Sequence, residues 1–296
     1  MEKQTLVICL SGGLDSFTMF HYANRVFNQD NQYNIKYLIV IDKDSPYWEK
    51  EWNTILQLYK LPKDTTLDNR FNVVTLNGYG RLAKTDDHVI LGRNAVIASI
   101  ASALGENIWM GGTKFEDNIG MYDKNEMFWW KMSEALHQAC GYKRKQDVYD
   151  PEFTYIQQLS TRVYSPFQGK QLAFAPAWDK HDMIVWLEKQ DIKDWRNTVS
   201  CFHPTQLRCG KCAVCYKRYI YEKYVELTTD IRYTCNGFLE DTYVENPLDN
   251  FFLKQTVEKM KEAVKNKDYS RYHLERIKIY NEVLVNTGVL KQGELL

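Results

Sequence analysis

Two short stretches hold residues whose types and spacing suit chemistry. The first is SGGLDS, residues 11–16, with two hydroxyls, two glycines and one carboxylate in a single turn's worth of chain. Glycine lets the backbone turn tightly and bares its N–H groups, serine adds hydroxyl donors, and a helix opening there points its positive end at the same spot. Such a turn cradles phosphate. It differs from a P-loop, because no Lys-Ser/Thr ending follows to grip the β- and γ-phosphates. A generic glycine-rich turn is the plain alternative, but the full Ser-Gly-Gly-x-Asp-Ser string between a strand and a helix is far more specific than a pair of glycines.

The second stretch is Cys201-x7-Cys209-x2-Cys212-x2-Cys215, which gathers four of the seven cysteines while Cys9, Cys140 and Cys235 are scattered. Four thiolates are what a closed tetrahedral zinc site requires, and Gly210 lets the chain turn between ligands. An iron–sulfur cluster is the second choice and free buried thiols the third. With all four thiolates bound, zinc has no open position, so its role is to tie the chain onto the body and not to activate water. No signal-like segment opens the chain, so a disulfide framework is not expected.

The elements that must position these residues are legible in the first half. LVICL (6–10), YLIVI (37–41), VVTL (73–76) and IWMG (108–111) read as short buried strands. Between them, residues 17–27, 47–59 and 95–104 have helical length and spacing. Strand-loop-helix repetition predicts an α/β fold with a doubly wound parallel sheet, whose ligand sits beyond the carboxyl ends of the strands. Residues 114–165 read as an insertion containing one helix, 126–139. A strand at 172–176 and a helix over 180–190 precede the cysteines, a helical stretch follows them at 216–227, and two amphipathic helices (248–266 and 269–286) flank a KNKD turn. The expected organisation is a nucleotide-binding domain over 1–200, the cysteine motif at 201–218 and a helical extension over 219–296.

Composition supports a folded chain and excludes several classes. The 296 residues are 44% hydrophobic and 26% charged, with 15 Gly and 7 Pro, which rules out disordered and fibrous proteins. Thirty-eight basic residues balance thirty-eight acidic ones, so no global field recruits nucleic acid or an anionic membrane. No run approaches the length of a spanning helix, and the expectation is a soluble, cytoplasmic protein.

The SGGLDS loop resembles the PP-loop of the N-type ATP pyrophosphatases, the adenine nucleotide alpha hydrolase-like fold that includes GMP synthetase and NAD synthetase. That resemblance implies α–β cleavage of ATP, with Asp15 helping to hold Mg²⁺ on the pyrophosphate and Ser11, Gly12, Gly13 and Ser16 seating the nucleotide. Joined to the cysteine motif, the loop resembles the 7-cyano-7-deazaguanine synthase family more closely. Ser200, Cys201, Phe202, Cys209, Gly210, Cys212, Cys215 and Arg218 match that family's zinc region. Gly92, Arg93 and Asn94 match its Gly-Arg-Asn helix start, Tyr122, Asp123 and Phe128 its substrate segment, and Pro176 with Lys180 its Pro-x-x-x-x-Lys element. Departures are DKDSPYWEKEW after the second strand, where the family has a Tyr-Gly-Gln-Arg-His type segment, a missing Pro between Tyr122 and Asp123, and the long extension.

The resemblance implies an AMP-forming ligase. The carboxylate of 7-carboxy-7-deazaguanine would be adenylated and captured by ammonia, and the resulting amide would be activated by a second ATP and lost to a nitrile. Asp15, Lys180 and Asp123 would be catalytic, Arg93 and Asn94 would join the nucleotide site, and Tyr122, Asp123, Glu116 and Asp117 would meet the deazaguanine. The implied cofactors and partners are ATP, Mg²⁺, Zn²⁺, a small deazapurine, and ammonia or another amine. Similar proteins in anti-phage defence operons suggest a variant in which a protein amine is the acceptor. A tRNA-modifying enzyme of the same superfamily is disfavoured by the balanced charge. A nucleotide sensor or scaffold is disfavoured by the intact loop and Lys180. Trp129 and Trp130 read as core, His181 and His203 as non-ligands, and the lysine-rich C-terminal helices as a solvated face, with homodimerisation or partner docking left open.

Overall fold

The computed structural model describes residues 3–62, 69–79, 81, 92–113, 122–140, 160–168, 176–199, 201, 215, 218–223, 225, 251–269, 274–286 and 290–295. Five parallel strands form one sheet: β1 Gln4–Leu10, β2 Tyr33–Asp42, β3 Phe71–Leu76, β4 Asn107–Trp109 and β5 Arg162–Tyr164, in the order β3-β2-β1-β4-β5. The helices are α1 Leu14–Tyr22, α2 Trp48–Leu58, α3 Arg93–Ser102, α4 Glu126–Cys140, α5 Lys180–Lys189, α6 Phe251–Asn266 and α7 Leu274–Asn286.

β1 lies at the centre and is buried on both faces, which explains its uninterrupted apolar run. Alternate residues serve opposite layers. Leu6, Ile8 and Leu10 pack with Leu14 and Phe17 of α1, Ile55 of α2, and Met183, Ile184 and Leu187 of α5. Val7 and Cys9 face the other way, against Ala98 and Ala101 of α3 and Trp129 and Leu136 of α4. Burial there pushes the Cys9 thiol up to about 12, so this cysteine is an inert apolar filler. Trp129 is fully buried in this second layer, as its reading as core requires.

The observed strands and helices follow the sequence reading with three differences. β5 lies inside the stretch read as an insertion, and three residues are too few to show a period. α1 begins at Leu14 and α3 at Arg93, each directly after a glycine and earlier than apolar spacing alone suggests. The helix predicted at 17–27 gives way to a π-helical turn over Ala23–Phe27. The strand read at 172–176 lies outside the described residues but for Pro176, which is in no strand. Among the described residues no helix is long and apolar enough to cross a membrane.

Past residue 215 the described positions up to 225 are helical, and α6 and α7 form their own cluster with Ile220, Val257, Met260, Ile277, Tyr280 and Leu284. Tyr221 packs against both this cluster and the sheet's first layer, so the extension is docked on the body.

The end of α5 is pinned by a buried carboxylate. Glu188 accepts hydrogen bonds from Trp195 Nε1 at 2.6 Å, Lys193 Nζ at 3.0 Å and Arg196 at 3.1 Å. Burial alone would raise its carboxyl, but these donors outweigh it and hold Glu188 below its ordinary value. Replacing Glu188 with Ala is expected to lower stability at neutral pH by about 2 kcal/mol, chiefly by orphaning the Trp195 N–H, since Lys193 and Arg196 are half-exposed and solvent-screened. A depressed carboxyl contributes stability that is full above its unfolded value of about 4.3 and fades as pH falls through the folded one. Urea midpoints of the two proteins should therefore converge in acid. A gap that persists undiminished there would contradict this account.

Candidate active site

Strand order changes direction at β1, which sends its chain first toward β2 and later receives β4 on its other side. The carboxyl ends of β1 and β4 thus border the crevice where open α/β sheets bind ligands. The Ser11–Ser16 turn sits there. Ser16 Oγ accepts the Ser11 N–H at 3.1 Å and lies 2.9 Å from the Ser11 carbonyl oxygen and 3.0 Å from Ser11 Oγ. Buried Tyr59 donates its hydroxyl to the Ser11 carbonyl at 2.9 Å, and burial raises that phenol above its ordinary value. The helix behind the turn has Gly13 as its N-cap, which carries no capping side chain, and the Gly13 N–H is donated to Ser11 Oγ at 3.2 Å.

Gly12 answers a packing need as well. A Cβ there would stand 3.2 Å from Thr54 Cγ2 on α2, a tight contact that would require the Thr54 side chain to shift by a few tenths of an ångström. The Gly12 carbonyl accepts the Val199 N–H at 2.7 Å. Two residues on, Cys201 presents its carbonyl to buried Lys50 Nζ at 2.6 Å. The approach to the cysteine motif is therefore bonded to the phosphate turn.

Asp15, 8% exposed, begins the first turn of α1, and its Cβ lies 3.3 Å from where a Cβ would stand at Gly111, just beyond β4. Lys180, first residue of α5, brings Nζ to 3.4 Å from Asp15 Oδ1, and its side chain stays 31% exposed, open to the crevice. Among the described residues, Asp15 Oδ1 finds no hydrogen-bond partner although buried. A buried carboxylate oxygen with only a neighbouring ammonium beside a phosphate cradle suits a hard divalent cation, so the residues fit Mg²⁺.

A second acid at the strand ends escaped the sequence reading. Asp42 closes β2, is 3% exposed, accepts the Asp44 N–H at 3.1 Å through Oδ1, and leaves Oδ2 without a hydrogen bond. Its signal was available: a carboxylate ending a fully apolar run points to the functional edge of a parallel sheet. The neighbouring Asp44 accepts the Gly78 N–H and pairs with Arg81 Nε at 3.0 Å, so the departing segment after β2 is clasped to the loop after β3.

Arg93 opens α3 and lies 3.4 Å from both carboxylate oxygens of Glu51. Burial works against its charge, but Glu51, Tyr47 and Asp42 more than offset that and raise its value. Asn94 donates through Nδ2 to Asp123 Oδ2 at 2.9 Å and to the Asp123 carbonyl at 3.1 Å. One residue assigned to nucleotide and one assigned to substrate are thus joined directly. Asp123 lies in a 3₁₀ turn, Tyr122–Lys124, whose last carbonyl accepts Gln168 Nε2 at 2.6 Å and whose following Asn125 caps α4 through Phe128 N–H at 2.7 Å. The backbone of Tyr122 belongs to this turn; its side chain, Glu116 and Asp117 lie outside the described residues.

Of the four thiols, Cys201 and Cys215 are described and both are buried. Cys209 and Cys212 lie outside the described residues, as do Ser200, Phe202, His203 and Gly210. Among the described residues no cluster of three or more metal-binding side chains occurs. Arg218 is 5% exposed and bonded to Glu222 Oε1 at 2.8 Å and the Trp195 carbonyl at 3.0 Å, so it braces the helix after the cysteines.

Neither a curated protein nor a solved structure matches the chain. A family model described as queuosine biosynthesis protein QueC matches residues 5–224. That span starts on β1, takes in all five strands, the phosphate turn, Lys180 and the cysteines, and ends in the helix beyond them. It covers well over half of the 296 residues, and on that extent the chain belongs to the QueC family.

Proposed function

We propose that this chain is an AMP-forming ligase that activates the carboxylate of 7-carboxy-7-deazaguanine, or a close analogue, and converts it to the amide and nitrile. The observation that carries the reading is the phosphate turn at the sheet's switch point with the Asp15–Lys180 pair at its mouth, in a chain of the QueC family. A carboxylate resists attack by an amine because oxide would have to leave. Adenylation replaces oxide with AMP, a stabilised anion.

In the first step a carboxylate oxygen attacks the α-phosphorus of ATP, the bond to the β-phosphate oxygen breaks, and pyrophosphate departs with the electron pair. The phosphates would be held by the turn of Ser11, Gly12, Gly13 and Ser16, and the Lys180 ammonium would face the charge that grows on the leaving group. Ammonia then attacks the acyl carbon, AMP leaves, and the nitrogen sheds a proton to give the amide. Adenylation of the amide oxygen by a second ATP, with release of pyrophosphate and one N–H proton, gives an imidoyl adenylate, and loss of AMP with the second N–H proton yields the nitrile. Asp123, bonded to Asn94, would accept hydrogen bonds from the N–H groups of the deazaguanine.

Mg²⁺ would be held by Asp15 and, when bound, neutralises pyrophosphate charge. Zinc would be held by Cys201, Cys209, Cys212 and Cys215 with no open position, and its site would steady the chain bonded to Gly12.

The test is to incubate the protein with ATP, Mg²⁺ and 7-carboxy-7-deazaguanine, with and without ammonium, and to identify products by mass spectrometry. AMP, pyrophosphate and the amide or nitrile are expected. AMP without either product would replace ammonia with another acceptor, such as a protein amine. Absence of AMP would overturn the reading.

A further inference from the structure

The first turn of α5 is held from several directions. Asp179 at its N-cap accepts the His181 N–H at 2.9 Å and the Asp182 N–H at 3.2 Å, while Asp182 Oδ2 accepts the Asp179 N–H at 3.0 Å. This reciprocal cap sets where the helix starts. Roll about the helix axis is opposed in part by Met183, Ile184 and Leu187, packed in the sheet's first layer.

A second restraint opposes roll. His181, next to Lys180, is 3% exposed, and its ring lies 4.5 Å from the ring of Tyr221 at 84° and 5.9 Å from that of Tyr280 at 56°. The Tyr221 contact is edge-to-face, a directional arrangement, and the Tyr280 ring packs beside it at a tilt. Tyr221 belongs to the helix after the cysteines, and Tyr280 belongs to α7, packed with Met260, Ile277 and Leu284. Tyr280 lies beyond residue 224, where the family match ends. The added C-terminal helices therefore reach the residue adjoining the lysine at the crevice. His181 and Lys180 are consecutive in the first turn of α5, so a roll that frees His181 from these rings also moves the backbone that carries Lys180.

We propose that Tyr280 is a positioning residue for Lys180, acting through His181, and that the C-terminal helices thereby set the geometry of the phosphate site. This inference rests on the assignment of Lys180 to the leaving pyrophosphate.

In the full chain, Tyr280→Leu is expected to lower kcat for pyrophosphate release by about tenfold, since misplacement of a catalytic group by ~1 Å costs up to ~100-fold. KM for ATP should stay within about twofold, because the interaction weakened is one that strengthens in the transition state. Tyr280→Phe, which keeps the ring, should restore kcat. In a Lys180→Ala background Tyr280→Leu should cost nothing further, as two residues acting through one group are not additive. Equal losses in both backgrounds would mean a general packing defect and would overturn the proposal.

A second readout needs no substrate. Acetylation of Lys180 by an N-hydroxysuccinimide ester, measured by mass spectrometry against Lys131 on α4, should speed several-fold in Tyr280→Leu as the ammonium leaves Asp15. An unchanged ratio would overturn the inference. Should the wild-type chain release no pyrophosphate, the functional reading falls while the labelling ratio still decides the role of Tyr280.

Discussion

Lys180→Ala is expected to reduce pyrophosphate release by about 10²–10³-fold, the scale on which one preorganised charge-stabilising group acts. The lysine reaches the crevice from the start of α5, with Nζ 3.4 Å from Asp15 Oδ1 and a third of its side chain open. On the proposed reading ATP already carries its phosphate charge when it binds, and the turn would hold most of it. The leaving pyrophosphate gains charge only as the α–β bond breaks. Loss of the ammonium should therefore appear mainly in kcat, with a smaller rise in KM for ATP. Lys180→Arg should recover only part of the rate, because a planar guanidinium delivers its charge with different geometry from a compact ammonium. A coupled pyrophosphate assay showing Lys180→Ala within threefold of wild type would remove the lysine from the mechanism.

Asp15→Asn should have an effect of similar size but of another character. The substitution keeps shape and removes charge from a carboxylate that is nearly buried and whose Oδ1 lacks a hydrogen bond. The Mg²⁺ concentration for half-maximal activity is expected to rise by about tenfold or more, and the rate at low Mg²⁺ to fall about 100-fold, with partial recovery at high Mg²⁺. Folding stability should change by less than about 1 kcal/mol, because Lys180 is partly solvated and its pair with Asp15 is weak as a stabilising contact. A variant with unaltered Mg²⁺ dependence would show that Asp15 serves the loop's shape and not a cation.

These two residues also show how far sequence alone carries. Asp15 sits inside a six-residue string whose backbone demands are local, so its place beside a phosphate cradle follows from its neighbours. Lys180 could be tied to that cradle only by resemblance, since nothing local brings α5 to α1. The bond between Asn94 and Asp123 is of the same kind: each stands in a recognisable short motif, and their contact comes from how α3 and the turn after β4 pack. Glu51 was missed because a lone acid on a helix has no spacing to betray it, whereas Asp42 carried a local signal, a carboxylate closing an apolar strand, that was not read. Tyr280 was hidden in a stretch that reads as an ordinary amphipathic helix.

The sequence by itself determined the parallel α/β architecture, the phosphate turn after β1 and the four-thiol motif, because each depends on residues within a few positions of one another. Only the tertiary structure decided which distant groups meet: Lys180 with Asp15, Asn94 with Asp123, Val199 with Gly12, and Tyr280 with His181. Strand order and crossovers set those meetings, and they are selected by burial of whole faces, a property of the assembled layers that no short window of sequence contains.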